Sequence, residues 1–413
     1  DESRAALSTL CEVLQIHRLN SNVILTASVS IYQVTRPTIT DQDPGLRQKL
    51  LGLLVRALGD HQACYQIQKN ICLILCHFDL SELKPFIAQI PTLLLAGAIR
   101  HSDKERGGVL QRVAVGLTGN WVCLGVDYKT LLGDAGVVAY LVQLIGVGLD
   151  QDMQMATVIE SVWGALWNIT DEAPGNSALF LECGGLAMIV KTFEKFETES
   201  ISENLLRNML GLVGNVAEVP SLRHWLLSDV ILKFLTNLLQ RSRTHMDIEV
   251  GYNAAGILAH LCSETAPVWQ QYNVQISRTS VLSTLNESVR SWDLRTERTI
   301  KYRSLVPIVD LALAGCPEAQ AWAMWALVNL CSVYPSRYVP LLTSTSGCTH
   351  LKDIAGSSNA YTGVDYMSHS ATAYVSFLSF TLNRLLCHYQ RSGVPRSASS
   401  CSTERPNMLH CIS

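Results

Sequence analysis

Residues Trp163 to Glu172 read Trp-Gly-Ala-Leu-Trp-Asn-Ile-Thr-Asp-Glu, and residues Gly211 to Glu218 echo them with Gly-Leu-Val-Gly-Asn-Val-Ala-Glu. Each stretch carries an asparagine three residues before an acid. Residues three or four apart share one face of a helix, so each stretch predicts a helix with an amide beside a carboxylate. The residues concerned are Asn168 with Asp171, Asn215 with Glu218, and Trp167, which stands four residues before Asp171.

The first stretch recurs along the chain at a regular period. Aligning its helix with the rest of the sequence gives spacings of 44, 44, 48, 47, 45 and 69 residues between equivalent positions. All but the last are close to the period of about 40–47 residues of HEAT and armadillo repeats. The last spacing predicts an insertion near residues 265–300, where Arg278 to Trp292 could form an extra helix. The equivalent positions are Tyr32, Cys76, Asn120, Asn168, Asn215, His260 and Asn329.

A second motif recurs in phase with the first. Asp134 to Ile145 and Glu182 to Phe193 lie 48 residues apart, and each has an acid, one or two glycines and then apolar residues at helical spacing. This order is typical of a tight corner before a buried helix. Strand patterns are nearly absent, and prolines mostly lie between helical segments. The sequence therefore predicts an all-α fold, an armadillo-like helical-repeat solenoid of about seven repeats.

The predicted solenoid stops short of the end of the sequence. Helical periodicity fails from about Ser346, and Arg391 to Ser413 has no face that could pack. Ala371 to Leu382 is apolar but interrupted by serine and threonine. The sequence predicts a repeat domain at residues 1–354 and a divergent, poorly ordered tail at residues 355–413.

Composition limits the classes of function. The 413 residues carry a net charge of -3, with 16% charged and 48% hydrophobic side chains, so neither nucleic acid nor a membrane is an expected partner. Thirteen cysteines without a Cys-x-x-Cys spacing predict buried thiols in a reducing compartment and no zinc site. Residue 1 is Asp rather than Met and no signal-like segment follows. We therefore expect part of a longer cytoplasmic protein, which could also enter the nucleus.

The two asparagine–acid pairs form the candidate site. Equivalent helices of neighbouring repeats stand side by side, about 8–10 Å apart, so Asn168 and Asp171 are predicted to face Asn215 and Glu218 across one groove. Carboxylates and amide oxygens suit an ammonium group, which has three donors and no acceptor. A chain N-terminus is such a group, and a lysine side chain is another. Singly, such residues usually satisfy nearby backbone or face solvent; together with Trp167 they favour binding.

Catalytic motifs are missing from the sequence. It contains no Gly-x-Ser-x-Gly, no His-Glu-x-x-His and no phosphate-binding glycine loop. Two carboxylates in a groove could exchange protons, but they lack a partner nucleophile or metal. We therefore expect a non-catalytic protein that uses no metal and no cofactor.

Three segments resemble one known family. They read Ala-Leu-Trp-Asn-Ile-Thr-Asp-Glu at 165–172, Asn-Met-Leu-Gly-Leu-Val-Gly-Asn-Val-Ala-Glu-Val at 208–219 and Trp-Ala-Leu-Val-Asn-Leu-Cys-Ser-Val-Tyr-Pro-Ser-Arg-Tyr at 325–338. They resemble the C-terminal armadillo domain of the Zyg-eleven and Zer-one family, over roughly residues 1–354. That family's members are substrate receptors of cullin-two RING E3 ubiquitin ligases. Their armadillo domain binds proteins that begin with glycine or, less well, another small residue.

The resemblance also implies site residues and partners. The family's pocket residues match Trp167, Asp171, Asn215 and Glu218 here, and Asn168 also matches. The family's ligase-binding box and leucine-rich repeats precede this domain, so cullin-two and elongin adaptors are expected to bind through regions absent from this chain.

The sequence departs from the family pattern near its end. After Tyr338 the family continues with an acid-Gly-Gly corner and a closing helix. Here Thr343 to Cys348 replaces the corner, and no match to the family is expected after Ile354. The final capping repeat, which would shield the apolar end of the solenoid, is therefore in question.

One hypothesis follows for the site residues. Asp171 and Glu218 neutralise the protonated α-amine of a protein that begins with glycine or another small residue. Asn168 and Asn215 hold that amine and the first peptide group, and Trp167 limits the size of the first side chain.

Two alternatives remain beside this hypothesis. A general armadillo adaptor that binds extended basic peptides predicts a Trp–Asn pair at four-residue spacing in most repeats. At the equivalent repeat positions only Trp325 and Asn329 form such a pair, which disfavours this alternative. A purely architectural scaffold predicts that charge changes at residues 171 and 218 have no effect.

Overall fold

A computed structural model describes residues 2–38, 42–103, 108–150, 156–198, 202–242, 248–299, 301–347, 351 and 370–391. Every regular element in these ranges is a helix, so the predicted all-α, armadillo-like class is confirmed. The helices form two compact units, one that extends to Lys195 and one that begins at Phe196. The boundary falls in the last turn of a helix, and each unit is described separately below.

Among its described residues the first unit contains twelve α-helices, the last of which ends just beyond it, and one short 3-10 helix (Lys84–Phe86). Several begin at a recognisable cap: the carboxylate of Asp43 accepts a hydrogen bond of 3.1 Å from the amide of Leu46, and Pro44 occupies the first turn, where its missing N–H costs nothing. The helices are α1 (Glu2–Ile16), α2 (Ser21–Thr38), α3 (Pro44–Asp60), α4 (Tyr65–Leu75), α5 (Leu80–Leu83), α6 (Ile90–Arg100), α7 (Val109–Val122), α8 (Val126–Asp134), α9 (Val137–Leu149), α10 (Ala156–Thr170), α11 (Pro174–Glu182) and α12 (Gly185–Thr198).

The second unit contains nine α-helices and one 3-10 helix (Pro220–Leu226) among the described residues. Ser202 caps the first of them by accepting a hydrogen bond of 3.1 Å from the amide of Leu205. The helices are α13 (Glu203–Glu218), α14 (Asp229–Ser242), α15 (Ile248–Cys262), α16 (Ala266–Gln271), α17 (Arg278–Ser291), α18 (Val306–Ala312), α19 (Pro317–Val333), α20 (Pro335–Ser344) and α21 (Ala371–Arg391).

The predicted repeat register is confirmed inside each unit. The equivalent positions fall in the last part of a helix, or directly after it for Cys76, on α2, α4, α7, α10, α13, α15 and α19. In the first unit α2, α4, α7 and α10 pack side by side in that order, and in the second α13, α15 and α19 do the same. The predicted extra helix is present as α17.

The predicted corners also form. Gly136 and Gly184 have φ angles of +83° and +87°, a left-handed conformation that favours glycine because it has no Cβ. At Gly185 an added Cβ would lie 2.4 Å from the ring of Phe180, so this glycine is required by close packing. The helices α9 and α12 follow these corners and bury their apolar faces, as expected.

One helix lies in the region predicted as a poorly ordered tail. In α21 the side chains of Tyr374, Leu378, Leu382 and Leu386 recur every four residues and are buried, and the helix packs on α19 and α20. Ser376 and Thr381 are partly buried and Ser379 is buried beside this stripe, so the polar residues weaken the apolar period without breaking it. The prediction of poor order therefore does not apply to Ala371–Arg391, and residues 355–369 and 392–413 lie outside the described residues.

Three further findings concern the described residues only. No single helix among them is long and apolar enough to cross a membrane, although two sharply bent helix pairs would qualify by length and composition alone. They contain no group of three or more metal-binding side chains. Their cysteines are thiols rather than disulfides.

Candidate peptide-binding site

The first half of the predicted site lies at the C-terminal end of α10. Trp167 and Asn168 are partly exposed in its last turn, and Asp171 directly follows the helix. The amide nitrogen of Asn168 donates a hydrogen bond of 3.0 Å to the carbonyl of Gly164. That bond ties the nitrogen to its own helix and makes the amide oxygen the group suited to accept from a ligand.

A buried lysine contacts this half-site. The Nζ atom of Lys129, on α8, lies 2.9 Å from Oδ2 of Asp171 and also donates to the Asp171 carbonyl oxygen at 2.5 Å. The Lys129 side chain is 0% exposed, whereas that of Asp171 is 34% exposed. Asp171 therefore lies between a buried cation and solvent, and its carboxylate is already paired on the inner side.

A buried asparagine holds this arrangement in place. The amide nitrogen of Asn176, on α11, donates to the carbonyl of Lys129 and to the carbonyl of Ile169, both at 2.9 Å. Asn176 packs against Gly133, where an added Cβ would lie 1.9 Å from its amide oxygen. A single side chain thus links α8 to the end of α10, and the missing side chain at residue 133 makes room for it.

The end of a helix explains why cations are favourable here. The last carbonyl groups of an α-helix have no partner within it and carry partial negative charge. At α10 the ammonium of Lys129 satisfies such a carbonyl and the adjacent carboxylate together. The geometry shows that this helix end can bind one ammonium group.

The second half of the predicted site lies at the C-terminal end of α13. Asn215 and Glu218 are partly exposed in its last turn. The guanidinium of Arg223 donates to the carbonyl of Ala217 at 2.8 Å and to the carboxylate of Glu264 at 2.9 Å. A cation therefore satisfies this helix end as well, and Arg223 has its own acidic partner in Glu264.

An aromatic hydroxyl lies near the second half-site. Tyr302 donates a hydrogen bond of 2.8 Å to the hydroxyl of Tyr252. Burial raises the pKa of Tyr302 well above its ordinary value, and neighbouring groups that include Glu218 add to this shift. Tyr302 therefore keeps its proton, which it donates to Tyr252.

The remaining candidates have structural roles. Trp163, Trp322 and Trp325 are buried in the core. His260, which stands at the repeat position that carries Asn168 and Asn215 in other repeats, is buried in α15, close to Trp322. Burial, together with the nearby Arg223, lowers its pKa from 6.5 to about 3, so it is neutral near pH 7.

The structure brings together some predicted residues and adds others. Trp167, Asn168 and Asp171 share one helix end in the first unit, and Asn215 and Glu218 share another in the second. The prediction that both pairs line one groove stays a prediction.

Lys129 is a functional candidate that the sequence pattern did not reveal. One signal could have found it: it precedes Asp171 by 42 residues, the separation that also joins Ser28 to Asn70 and Thr35 to His77 through hydrogen bonds.

Comparisons with known proteins identify relatives over most of the chain. A family model for the C-terminal domain of proteins like the zer-1 homolog matches residues 12–376. The chain is 34% identical to the protein zer-1 homolog of Mus musculus over 352 residues, which is 84% of this chain and 44% of that protein. It is 33% identical to Zyg eleven-related protein 1 of Caenorhabditis elegans over 368 residues, which is 87% of this chain and 39% of that protein.

These matches also correct one expectation. No match to the family was expected after Ile354, but the family model extends to residue 376 and so reaches into α21. The chain spans less than half the length of these two curated relatives.

Solved structures of designed armadillo repeat proteins are also similar. One of them covers 72% of this chain and 99% of its own length, with 16% sequence identity and a TM-score of 0.40.

Proposed function

This chain belongs to the family of zer-1 homologues, and we propose that it is a substrate-recognition domain that binds the free N-terminus of proteins beginning with glycine or another small residue. The family and the armadillo fold indicate a repeat adaptor or substrate receptor, which has a binding role. Recognition of a glycine degron, for ubiquitination by a cullin-RING ligase, is the finer step that we add. The contacts with cullin-two and elongin adaptors would be made by regions outside this chain.

One observation carries the proposal. An asparagine and an acid stand together, partly exposed, at the C-terminal end of α10 and again at the C-terminal end of α13. Each end combines a carboxylate with the negative end of a helix, which is a favourable environment for an ammonium group. The binding of Lys129 Nζ by Asp171 supports this chemistry, because Nζ is itself an ammonium group held by a carboxylate and a carbonyl.

Each residue has a specific role in the proposal. Asp171 and Glu218 neutralise the α-amine, while Asn168 and Asn215 accept from that amine or bind the first peptide group. Trp167 restricts the first side chain. Because the inner side of Asp171 is occupied by Lys129, the ligand would use the part of the carboxylate that reaches solvent.

Titration calorimetry with short peptides tests the proposal. A peptide that begins with glycine should bind, and the same peptide with an acetylated N-terminus should lose measurable binding, because acetylation removes the charge. Replacing the first glycine with alanine should weaken binding about 10–200-fold, which is the usual effect of one methyl group in a restrictive pocket.

Variants distinguish recognition from a general charge effect. Asp171→Asn and Glu218→Gln should each weaken binding of the glycine peptide. Glu172→Gln, next to Asp171, and Glu203→Gln, at the opposite end of α13, remove the same charge at exposed positions and should not weaken it. A double-mutant cycle should show coupling of Asp171 and Glu218 through the ligand. Equal affinity for the free and acetylated peptides, or no effect of either site variant, would refute the proposal and favour a scaffold.

A further inference from the structure

A stretch of the second unit lies on its neighbouring helices like a bound peptide. We call residues Trp292–Ser304, between α17 and α18, the connecting segment. Apart from residue 300, its even-numbered side chains are partly or fully buried and its odd-numbered side chains are exposed. Residues Asp293 to Thr296 form a turn in which the Thr296 amide donates to the Asp293 carbonyl at 3.2 Å, and beyond this turn the period of two is the burial pattern of an extended chain on a surface.

The side chains of Trp325 and Asn329 bind main-chain carbonyl groups in the first part of the connecting segment. The amide nitrogen of Asn329 donates to the carbonyl of Leu294 at 3.0 Å and to that of Thr296 at 2.9 Å. The indole nitrogen of Trp325, one turn earlier on α19, donates to the carbonyl of Trp292 at 3.4 Å. These bonds are made to carbonyl groups rather than to side chains, and two of the three carbonyls, those of Leu294 and Thr296, belong to the turn.

Side chains also bind the later main-chain groups. The hydroxyl of Tyr334 accepts from the amide of Arg298 at 3.2 Å and donates to its carbonyl at 2.9 Å. The carboxylate of Glu249 accepts from the amide of Thr299 at 2.5 Å.

The same recognition continues at Tyr302. Its amide donates to the hydroxyl of Tyr338 at 3.1 Å, and its carbonyl accepts from Arg337 at 3.0 Å. Main-chain recognition by side chains therefore extends from Trp292 to Tyr302.

One buried side chain anchors the segment. Arg298 is 4% exposed, and its guanidinium lies over the ring of Tyr252, with Cζ 3.2 Å from the ring centroid. The same group lies 3.3 Å from the carboxylate of Glu249, which is also buried. An acid and an aromatic ring form a site for a guanidinium, and α15 supplies both.

We propose that α15, α19 and the first turn of α20 form a binding surface for an extended basic peptide, and that the connecting segment is its resident ligand. The segment carries a basic set of side chains, Arg295, Arg298, Lys301 and Arg303, against Asp293 and Glu297. The surface thus has the recognition chemistry of a general armadillo adaptor but is filled in cis, so other peptides are excluded from it. This inference does not depend on the proposed N-terminus site.

Binding in trans tests the inference. In the full chain, residues 292–303 are replaced by a glycine–serine sequence of the same length. Binding of a labelled peptide with the sequence of residues 290–304 is then measured by fluorescence anisotropy. The peptide is acetylated and amidated, which prevents binding through a free N-terminus. The altered chain should bind this peptide at least tenfold more tightly than the unaltered chain does.

Matched changes make the result specific. Arg298→Ala in the peptide, or Asn329→Ala in the altered chain, should weaken binding at least tenfold, whereas Asn204→Ala at the start of α13 should leave it unchanged. A folded altered chain that does not bind the peptide overturns the proposal.

Hydrogen exchange on the unaltered chain decides the question if the altered chain does not fold. The amides of Arg298, Thr299 and Tyr302 should be protected at least a hundredfold relative to an unstructured peptide. Replacing both Tyr334 and Tyr338 with phenylalanine should speed exchange at Arg298 and Tyr302 but much less at Thr299, which is bonded to Glu249. Unprotected exchange of all three amides in the unaltered chain would show that the segment is not bound.

Discussion

The Nζ atom of Lys129 lies 2.9 Å from Oδ2 of Asp171, and the lysine is the buried partner of the two. The pair is therefore asymmetric: the cation has no access to water, whereas the carboxylate reaches solvent. A buried ammonium needs a partner that replaces its hydration, so Asp171 stabilises the fold at the same time as it presents negative charge outward. Stability and ligand binding depend on the same carboxylate.

Lys129→Met should change these two properties in opposite directions. Methionine keeps the length of the side chain but removes its charge, so the helix end of α10 loses its cation and the free energy of unfolding should fall by about 1–3 kcal/mol. Affinity for a free glycine N-terminus should rise about tenfold, because the ligand ammonium no longer meets a second cation nearby. Urea unfolding and titration calorimetry measure the two effects.

Lys191→Met is the matched control for that prediction. Lys191 lies on the surface 4.0 Å from Asp150, and loss of an exposed pair should change neither stability nor affinity appreciably. A Lys129→Met protein that binds more weakly would contradict the prediction and show that Lys129 chiefly positions Asp171.

Asn176→Ala should destabilise the first unit through the same helix end. It leaves the carbonyls of Lys129 and Ile169 without their donor in a buried place, at a cost of about 2–3 kcal/mol in the free energy of unfolding. Gly133→Ala should cost a comparable amount, because the new Cβ displaces the same side chain.

The combined change distinguishes this explanation from two unrelated defects. A chain with both Asn176→Ala and Gly133→Ala should lose less free energy of unfolding than the two single losses added together, because both changes remove the same hydrogen bonds. Gly175→Ala, with no atom within 4 Å of the added Cβ, is the control. Additive losses in urea unfolding would contradict a shared cause.

His260 should make stability decrease in acid. Its pKa is about 3 in the folded chain against 6.5 for the ordinary group, so below pH 6.5 the unfolded chain binds a proton that the folded chain does not. The contribution to stability is present above pH 6.5 and is lost as pH falls towards 3, by about 1.4 kcal/mol per pH unit.

His260→Asn removes this titration and should make the decrease between pH 7 and pH 5 smaller by about 2 kcal/mol. His224→Asn changes an exposed histidine and should leave the decrease as it is. Urea unfolding at pH 7, 6 and 5 measures each slope, and equal slopes for the unaltered chain and His260→Asn would disprove the assignment.

Local patterns explain which features could be predicted. The repeat register and the corners at Gly136 and Gly184 follow from the spacing of apolar side chains and from the conformations open to glycine, which are properties of a few consecutive residues. Lys129 could not be found in this way, because its contact with Asp171 spans 42 residues and depends on how two repeats pack.

The binding partners of Asn329 could not be predicted from local patterns either. Its position in the repeat matches that of Asn168 and Asn215, but its partners are carbonyls of this chain's own connecting segment. That segment has no helical period and follows an inserted helix, so nothing local to it indicates where it lies. His260 is similar, since its burial close to Trp322 depends on the packing of α15 against α19.

Glu249→Gln should strongly destabilise the second unit. Glu249 is the carboxylate partner of the buried guanidinium of Arg298, and removing one member of a buried ion pair leaves the other charge uncompensated, at a cost of about 3–5 kcal/mol. Arg298→Met should also destabilise, but a chain with both changes should be more stable than the sum of the single losses predicts, because no unpaired charge remains.

Glu264→Gln removes the partner of Arg223 at a partly exposed site and should cost less than about 1 kcal/mol. Urea unfolding of the four variants provides the comparison, and a Glu249→Gln protein as stable as the Glu264→Gln protein would show that the buried pair does not hold the connecting segment.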